Sequence, residues 1–244
     1  MLITQKLMQS CTRMERILFM VIEGVRAKQM LNPWEEILLD DYESHMQLDS
    51  VMQLQAMNKM MKGQLGAYPA SSVMILGIAG GNGLEHIRRD KYRRVYGIDI
   101  NSSYLKETVR RYPDLTGILK CLCIDLTRDA DKLPEAELVI ANLLIEYIGY
   151  DCFQEVILHV NPNYVSVIIQ INMDDSWVSD SPYLHTFDGL EKVHARIEEE
   201  PLEILMKKIG YNKIKTSEYL LPNRKKLVQM DFGRAKETEQ SVQP

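Results

Sequence analysis

The chain has 244 residues, a length that suits one α/β domain with an additional segment. Its 29 Lys and Arg residues are outnumbered by 34 Asp and Glu, so the net charge of −5 disfavours a surface that holds nucleic-acid phosphates. Hydrophobic residues make up 45% and charged residues 26%, as in soluble globular proteins. No apolar run approaches the roughly 20 residues that a membrane-spanning helix needs. We therefore predict a protein that binds neither nucleic acid nor a membrane.

The cysteines and histidines favour a reduced protein without a bound metal. Four cysteines in this length do not make a disulfide scaffold. Cys121 and Cys123 lie on an apolar run and would share one face of a strand, where buried thiols are a simpler interpretation than a zinc site. The five histidines are scattered along the chain. These positions predict free thiols, no metal and a cytoplasmic location.

Residues 1–70 are predicted to form a helical cap. Ten of the fourteen methionines lie in this segment. Apolar residues recur at helical spacing over residues 14–25. The Asn-Pro pair at residues 32–33 is typical of the start of a second helix, and the Asp-Ser pair at residues 49–50 of a third. Residues 66–72 are expected to form a short linker.

From residue 72 onward the apolar pattern becomes typical of buried strands. Five short apolar runs lie at residues 73–78, 95–98, 118–124, 138–140 and 165–171. Helical stretches lie at residues 102–112, 151–160 and 199–209. This alternation predicts a parallel sheet, and the apolar stretches 213–221 and 225–232 predict a closing antiparallel hairpin. We expect this α/β domain to span residues 71–234, and residues 235–244 to form a flexible tail.

A small-residue loop directly after the first strand is the strongest indication of a ligand site. Its small residues are Gly77, Ala79, Gly80, Gly81 and Gly83. Such a loop lets the backbone turn sharply and lets a ligand approach closely. A helix is expected to begin behind the loop, with unpaired N–H groups at its first turn. Open α/β sheets bind ligands at this edge, beyond the carboxyl ends of the strands.

An acidic residue follows at the end of the second strand. Asp99 is placed to accept hydrogen bonds from both hydroxyls of a ribose, although it could instead cap the next helix. A dinucleotide loop would need a third glycine where this sequence has His86. A nicotinamide-dependent oxidoreductase is therefore an alternative that the loop disfavours.

This ordered set of motifs resembles the class I S-adenosylmethionine-dependent methyltransferases over residues 72–233. The resemblance implies a Rossmann-like, mostly parallel seven-stranded sheet with a terminal antiparallel hairpin. It also implies S-adenosylmethionine as cofactor and methyl transfer as the activity. The third and fourth motifs of that family look like residues 121–126 and 137–147 here. The cofactor-binding residues that the resemblance implies are Gly77, Ala79, Gly80, Gly81, Gly83, Asp99, Ile100, Asp125, Leu126 and Asn142.

The sequence departs from that family at two positions of the loop. Gly77 stands where an acid usually orients the methionine amine, and Glu85 is a candidate replacement unless it only complements a helix dipole. Ala79 stands at the first glycine, which is acceptable if its φ is negative. These departures leave a non-catalytic cofactor-binding module open as a second alternative.

The fourth motif favours a small-molecule acceptor. In family members that methylate nucleic-acid bases, the residue corresponding to Asn142 precedes Pro-Pro and an aromatic residue, whereas Leu-Leu follows it here. The substrate candidates are Tyr42, His45, Tyr147 and Trp177. Tyr42 and His45 are expected on a non-periodic connection that is either a substrate lid or a solvated loop. No catalytic residue can be identified, and the formation of a homodimer stays open.

Overall fold

The computed structural model describes residues 32–172 and 183–235. The chain divides between Glu36 and Ile37 into two compact units. In the first unit, helix α1 (Pro33–Glu36) begins as predicted, because Asn32 Oδ1 accepts a hydrogen bond from the N–H of Trp34 at 3.1 Å. The helix predicted over residues 14–25 and the substrate candidate Trp177 lie outside the described residues.

A seven-stranded sheet forms the centre of the second unit, with the strand order β3-β2-β1-β4-β5-β7-β6. The strands are β1 (Ser72–Leu76), β2 (Arg94–Asp99), β3 (Leu119–Cys123), β4 (Leu138–Asn142), β5 (Tyr164–Asn172), β6 (Tyr211–Leu220) and β7 (Lys225–Arg234). Strands β1 to β5 run parallel, and β7 pairs antiparallel with both β5 and β6. The predicted mostly parallel sheet with a terminal hairpin is therefore confirmed.

Six further helices surround this sheet in the described part of the chain. They are α2 (Leu39–Gln47), α3 (Gln53–Ala67), α4 (Ser102–Arg111), α5 (Leu126–Asp129), α6 (Ile145–Val160) and α7 (Glu199–Lys208). Helix α6 is interrupted at Gly149, whose φ of 75° and ψ of 171° are not helical, so residues 145–148 form a separate first turn. No helix within residues 32–172 and 183–235 has the length and apolar character needed to cross a bilayer.

Side chains alternate between the two faces of the sheet and form two apolar cores. Met74 and Leu76 of β1 face a core completed by α6 and α7. Val73 and Ile75 face the opposite core. Met61 and Leu65 of α3 pack into that second core, and Leu105 of α4 joins them. Helix α3 thus covers one sheet face, although it belongs to the predicted cap.

The predicted boundaries in the cap need correction. Tyr42 and His45 lie on helix α2 and not on a connection between helices. The helical spacing i, i+3 and i+7 is met by Leu39, Tyr42 and Met46. This pattern was not recognised from the sequence, because the aromatic residues with polar atoms were counted as interruptions of the apolar period. Helix α3 begins at Gln53, later than predicted, and it extends to Ala67 into the expected linker.

The helix expected directly behind the glycine loop is also absent from the described structure. A 3-10 turn, Leu84–His86, takes its place. Only residues 84–93 are available between the loop and β2. A helix spanning a strand of about 17 Å would need about eleven residues, which leaves none for the return to the sheet.

The prediction of buried thiols is wrong for Cys123. Cys123 is exposed and Cys121 is half-buried, because both lie on β3 at the edge of the sheet. Within the described ranges, these two cysteines and Cys152 form no disulfide.

Two glycines offer a paired test of these helices. Gly63 lies inside α3 with open space around the position of an added Cβ, whereas Gly149 has the same space but a φ of +75°. Gly63→Ala should raise the free energy of unfolding by about 0.5–1 kcal/mol, because the unfolded chain loses conformational freedom. Gly149→Ala should lower it by about 1–3 kcal/mol, because alanine is strained at that φ. Urea unfolding measures both, and an equal effect of the two substitutions would contradict the interruption of α6.

Candidate functional site

The predicted cofactor residues come together at one edge of the sheet. The glycine loop follows β1, Asp99 ends β2, Asp125 and Leu126 follow β3, and Asn142 ends β4. The chain order reverses at β1, which lies between β2 and β4. Ligands of open α/β sheets bind in the crevice beside such a reversal. The ordered motifs were thus sufficient to locate this edge.

Asp99 connects the glycine loop to the end of β2. Its Oδ2 accepts the N–H of Ala79 and its Oδ1 accepts the N–H of Asn101, each at 2.9 Å. Burial nevertheless raises the pKa of this carboxyl group. Each carboxylate oxygen has a second lone pair, so the geometry leaves capacity to accept ribose hydroxyls.

Asn101, and not Asp99, caps helix α4. Its Oδ1 accepts hydrogen bonds from the N–H groups of Ser103 and Tyr104, at 3.0 and 3.3 Å. The helix-capping interpretation of Asp99 is therefore wrong. Its carboxylate is held instead by backbone groups on both sides of the crevice.

Three residues with positive φ lie where β1 and β4 end. Gly77 has a φ of 68°, Ala79 of 48° and Leu143 of 54°. The condition that makes alanine acceptable at this position, a negative φ, is therefore not met. Ala79 is held in place because its N–H binds Asp99 and its carbonyl accepts the hydroxyl of Thr108 at 2.7 Å. Strained residues held in this way cost about 1–3 kcal/mol each and cluster at functional sites.

Side chains of the chain itself pack closely against the glycine loop. A Cβ at Gly80 would collide with Glu43 of α2 and would lie 2.7 Å from Arg111 at the end of α4. Glu43 and Arg111 form a bidentate ion pair, in which Glu43 Oε2 lies 2.8 Å from Arg111 Nη2. Arg111 also donates to the carbonyl of Gly80 at 3.3 Å. These contacts tie α2 and α4 together over the loop.

Asp125 and Leu126 lie at the start of α5. The carboxylate of Asp125 caps that helix, because its Oδ1 accepts the N–H of Thr127 at 3.0 Å and its hydroxyl at 2.6 Å. Leu126 is buried at 7% exposure. Ile100, beside Asp99, is half-buried, and its carbonyl accepts a hydrogen bond from the thiol of Cys123.

The side chain of Asn142 is oriented by helix α3. Its Nδ2 donates to Gln64 Oε1 at 2.9 Å, and Gln64 Nε2 donates back to Asn142 Oδ1 at 2.8 Å. Gln64 is fully buried. The sequence reasoning missed Gln64, because a glutamine on a helix gives no sign of a buried partner 78 residues away.

Three of the four substrate candidates are described, and all lie at the same edge. Tyr42 stacks on Tyr104 with a centroid distance of 6.4 Å, and burial raises its pKa. His45 is buried, and its pKa is lowered by burial and by the charge of Lys225. Tyr147, on the first turn of α6, meets His194 edge-on at 5.7 Å. Burial raises the pKa of Tyr147 as well.

The buried acid beside Tyr147 was not among the predicted site residues. Glu146 is 4% exposed, and burial raises its pKa to about 7 although the N–H of Gln170 donates to it at 2.9 Å. The available signal was a single acid within the apolar run of residues 143–148.

Two cavities border the glycine loop among the described residues. One of about 50 Å³ is lined by residues that include Tyr42, Met46, Gly77 and Asn142. The other, of about 580 Å³, is wide open and contains Glu85. Burial alone would raise the pKa of Glu85, but hydrogen bonds, the largest from Asn58, lower it. No helix begins at Glu85, so the helix-dipole interpretation is wrong.

No group of three or more potential metal ligands occurs within residues 32–172 and 183–235.

No family model and no curated protein sequence matches the chain, but many solved structures do. Magnesium protoporphyrin IX methyltransferase from Synechocystis PCC 6803, with bound SAH, is 14% identical over 77% of this chain and 86% of that chain, with a TM-score of 0.55. The N-methyltransferase NodS from Bradyrhizobium japonicum WM9, in complex with S-adenosylhomocysteine, is 10% identical over 80% and 96%, with a TM-score of 0.58. The cyclase SpnF is 8% identical over 76% and 83%, with a TM-score of 0.58. These similarities show the α/β fold of class I methyltransferases.

The ion pair over the loop can be tested with two neighbouring arginines. Arg111→Met should lower the free energy of unfolding by about 1–2 kcal/mol, because it leaves the half-buried Glu43 carboxylate without its two-pronged partner. Arg110→Met is the matched control, since Arg110 pairs with Glu107 on the exposed surface. That control should change stability by no more than about 0.5 kcal/mol. Equal losses in urea unfolding would show that the pair does not hold α2 in place.

Proposed function

We propose that the protein binds S-adenosylmethionine at the carboxyl edge of β1 to β4 and transfers its methyl group to a small molecule. The observation that carries this proposal is the position of Asp99 between the strained glycine loop and β2, at the reversal of strand order. The bound methyltransferase product in structures of the same fold supports it. The short 3-10 turn behind the loop disfavours the nicotinamide alternative, since a dinucleotide pyrophosphate is held by a helix N-terminus.

Each residue of the edge has a proposed part in holding the cofactor. The carboxylate of Asp99 accepts the ribose hydroxyls, and the backbone of the glycine loop faces the methionine part. Asp125 and Leu126 border the adenine. Asn142, fixed by Gln64, borders the methyl donor from the side of β4. The cofactor supplies an activated methyl group, so alignment with the acceptor is the main task of the protein, worth up to about 7–11 kcal/mol in favourable cases.

We further propose that residues 1–70 act as a cap that completes the acceptor pocket. Within the second unit, two parts of that segment differ in their contacts. Helix α3 packs Met61 and Leu65 into the core of the sheet. Helix α2 presents Tyr42 to the cavity beside the loop, and the ring of its His45 packs 4.8 Å from that of Phe187. The net charge of −5 supports a small acceptor in preference to a nucleic acid.

Asp99→Asn tests the cofactor site. Calorimetry with S-adenosylhomocysteine should show at least a tenfold loss of affinity, because charged hydrogen bonds are worth about 1.5–3 kcal/mol. Asp114→Asn is the control, since Asp114 is exposed on the turn before β3. Unchanged affinity in Asp99→Asn would remove this residue from the site. Failure of the native protein to bind would overturn the proposal itself.

Tyr42→Phe and His45→Ala test the cap. With a cell extract as the source of acceptor, both should reduce the formation of S-adenosylhomocysteine while the cofactor affinity stays close to the native value. The melting temperature should stay close to native in Tyr42→Phe and fall in His45→Ala, because the latter truncates a buried side chain. Tyr219→Phe, on the edge strand β6, should leave all three quantities unchanged. Full activity in both cap variants would restrict the cap to a structural role.

A further inference from the structure

One carboxylate in the proposed acceptor region is buried without a full set of hydrogen bonds. Glu146 is 4% exposed and lies on the first turn of α6. Its Oε1 accepts the N–H of Gln170 at 2.9 Å, whereas Oε2 has no hydrogen-bond partner among the described residues. A buried carboxylate oxygen without a donor lowers the stability of the fold. Its presence therefore points to a ligand that supplies the donor.

The position of Glu146 connects it to the cavity beside the glycine loop. The pKa of its neighbour Tyr147 is raised first by burial and then by the charges of Glu146 and Tyr42. The hydrogen bond from the N–H of Gln170 places the Glu146 carboxylate beside β5, two residues beyond Ile168, which pairs with Asn142 at the end of β4. Tyr42 in turn lines the cavity that also contains Gly77 and Asn142. Glu146 therefore lies at the same carboxyl edge as this cavity, next to the strand end that carries Asn142.

The ionisable groups around this space come from four elements, and we call them the acceptor wall. They are Tyr42, Glu43 and His45 on α2, Glu146, Tyr147 and Tyr150 on α6, His194 after the last 3-10 turn, and Lys225 on β7. Burial, and to a smaller extent the charge of Lys225, lowers the pKa of both histidines, which favours their neutral form. Glu146 is raised to a pKa of about 7 chiefly by burial. It can therefore change its protonation state near neutral pH, as a general base must.

Resting on the proposed function, we propose that Glu146 is a catalytic residue that accepts a proton from the acceptor, and that the acceptor is a protonated amine. A positively charged nitrogen compensates the buried carboxylate, which a neutral hydroxyl group would not do. The N–H groups of an ammonium also provide the donor that Oε2 lacks.

The proton and electron balance requires no other reactant. An ammonium nitrogen has no lone pair, so one proton first moves from that nitrogen to Oε2 of Glu146. The nitrogen lone pair then bonds to the methyl carbon as the bond from methyl to sulfur breaks, and the electron pair of that bond stays on sulfur. The products are a methylated ammonium and a neutral thioether. Glu146 returns its proton to water when the products leave.

The experiment compares two cofactor analogues in Glu146→Gln and in Glu155→Gln, an exposed acid on the same helix. S-adenosylhomocysteine has no group at the position of the methyl. In sinefungin, a carbon bearing an amino group replaces the methylated sulfur, so an ammonium lies where the methyl would be. At pH 8, Glu146→Gln should bind sinefungin at least about tenfold more weakly than the native protein does. Its affinity for S-adenosylhomocysteine should stay within about twofold of the native value. Glu155→Gln should change neither affinity.

The outcomes separate this inference from the proposed function. Lack of binding of either analogue to the native protein overturns the proposed function. If Glu146→Gln loses affinity for both analogues equally, Glu146 lies at the methionine amine of the cofactor and the inference is overturned. The inference is also overturned if Glu146→Gln binds sinefungin as tightly as the native protein does. If Glu146→Gln fails to fold, the pH dependence of binding by the native protein tests the inference instead. Its preference for sinefungin over S-adenosylhomocysteine should rise between pH 6 and pH 8 as Glu146 ionises, and a constant preference contradicts the proposal.

Discussion

A chain of buried polar side chains determines how helix α3 lies on the sheet. Gln64 of α3 binds both Asn142 at the end of β4 and Ser166 of β5, the latter at 2.9 Å. Ser166 donates to Asp231 on β7 at 2.5 Å, and Tyr68 donates to the same carboxylate at 2.7 Å. Apolar packing alone would let α3 slide along the sheet, whereas each buried polar atom is satisfied in one position only. The position of α3 along the sheet follows from this network.

The sequence was informative for the fold wherever a pattern is local. The five parallel strands and the hairpin were identified because their apolar runs are continuous and bounded by turns. Helix α2 was missed because its buried positions include a tyrosine and a histidine, whose polar atoms conceal the helical period. The helix expected before β2 was inferred from the small-residue loop after β1, and the short connection of residues 84–93 could have excluded it.

The site was predictable to the extent that it is built from strand ends. Asp99 and Asn142 could be placed at one edge because parallel strands bring their carboxyl ends together. The partners of these residues could not be predicted, since Gln64 and Arg111 reach the site from other helices. The burial of Glu146 depends on how α6 packs against β5, and a single acid in an apolar run does not reveal that packing. The strain at Ala79 likewise follows from contacts with Asp99 and Thr108 that are distant in sequence.

The position of β7 between β5 and β6 has a consequence for synthesis of the protein. Tyr68 and its partner Asp231 are separated by 163 residues. Because the ribosome adds about 5–20 residues per second, Asp231 is synthesised roughly 8–30 s after Tyr68. In the later part of this interval, after β5 (Tyr164–Asn172) has been made and before β7 (Lys225–Arg234) follows, the edge of β5 is unpaired and is a template for association with other chains. The last strand to be synthesised therefore completes both the sheet and the hydrogen-bond network that holds α3 and Tyr68 against it.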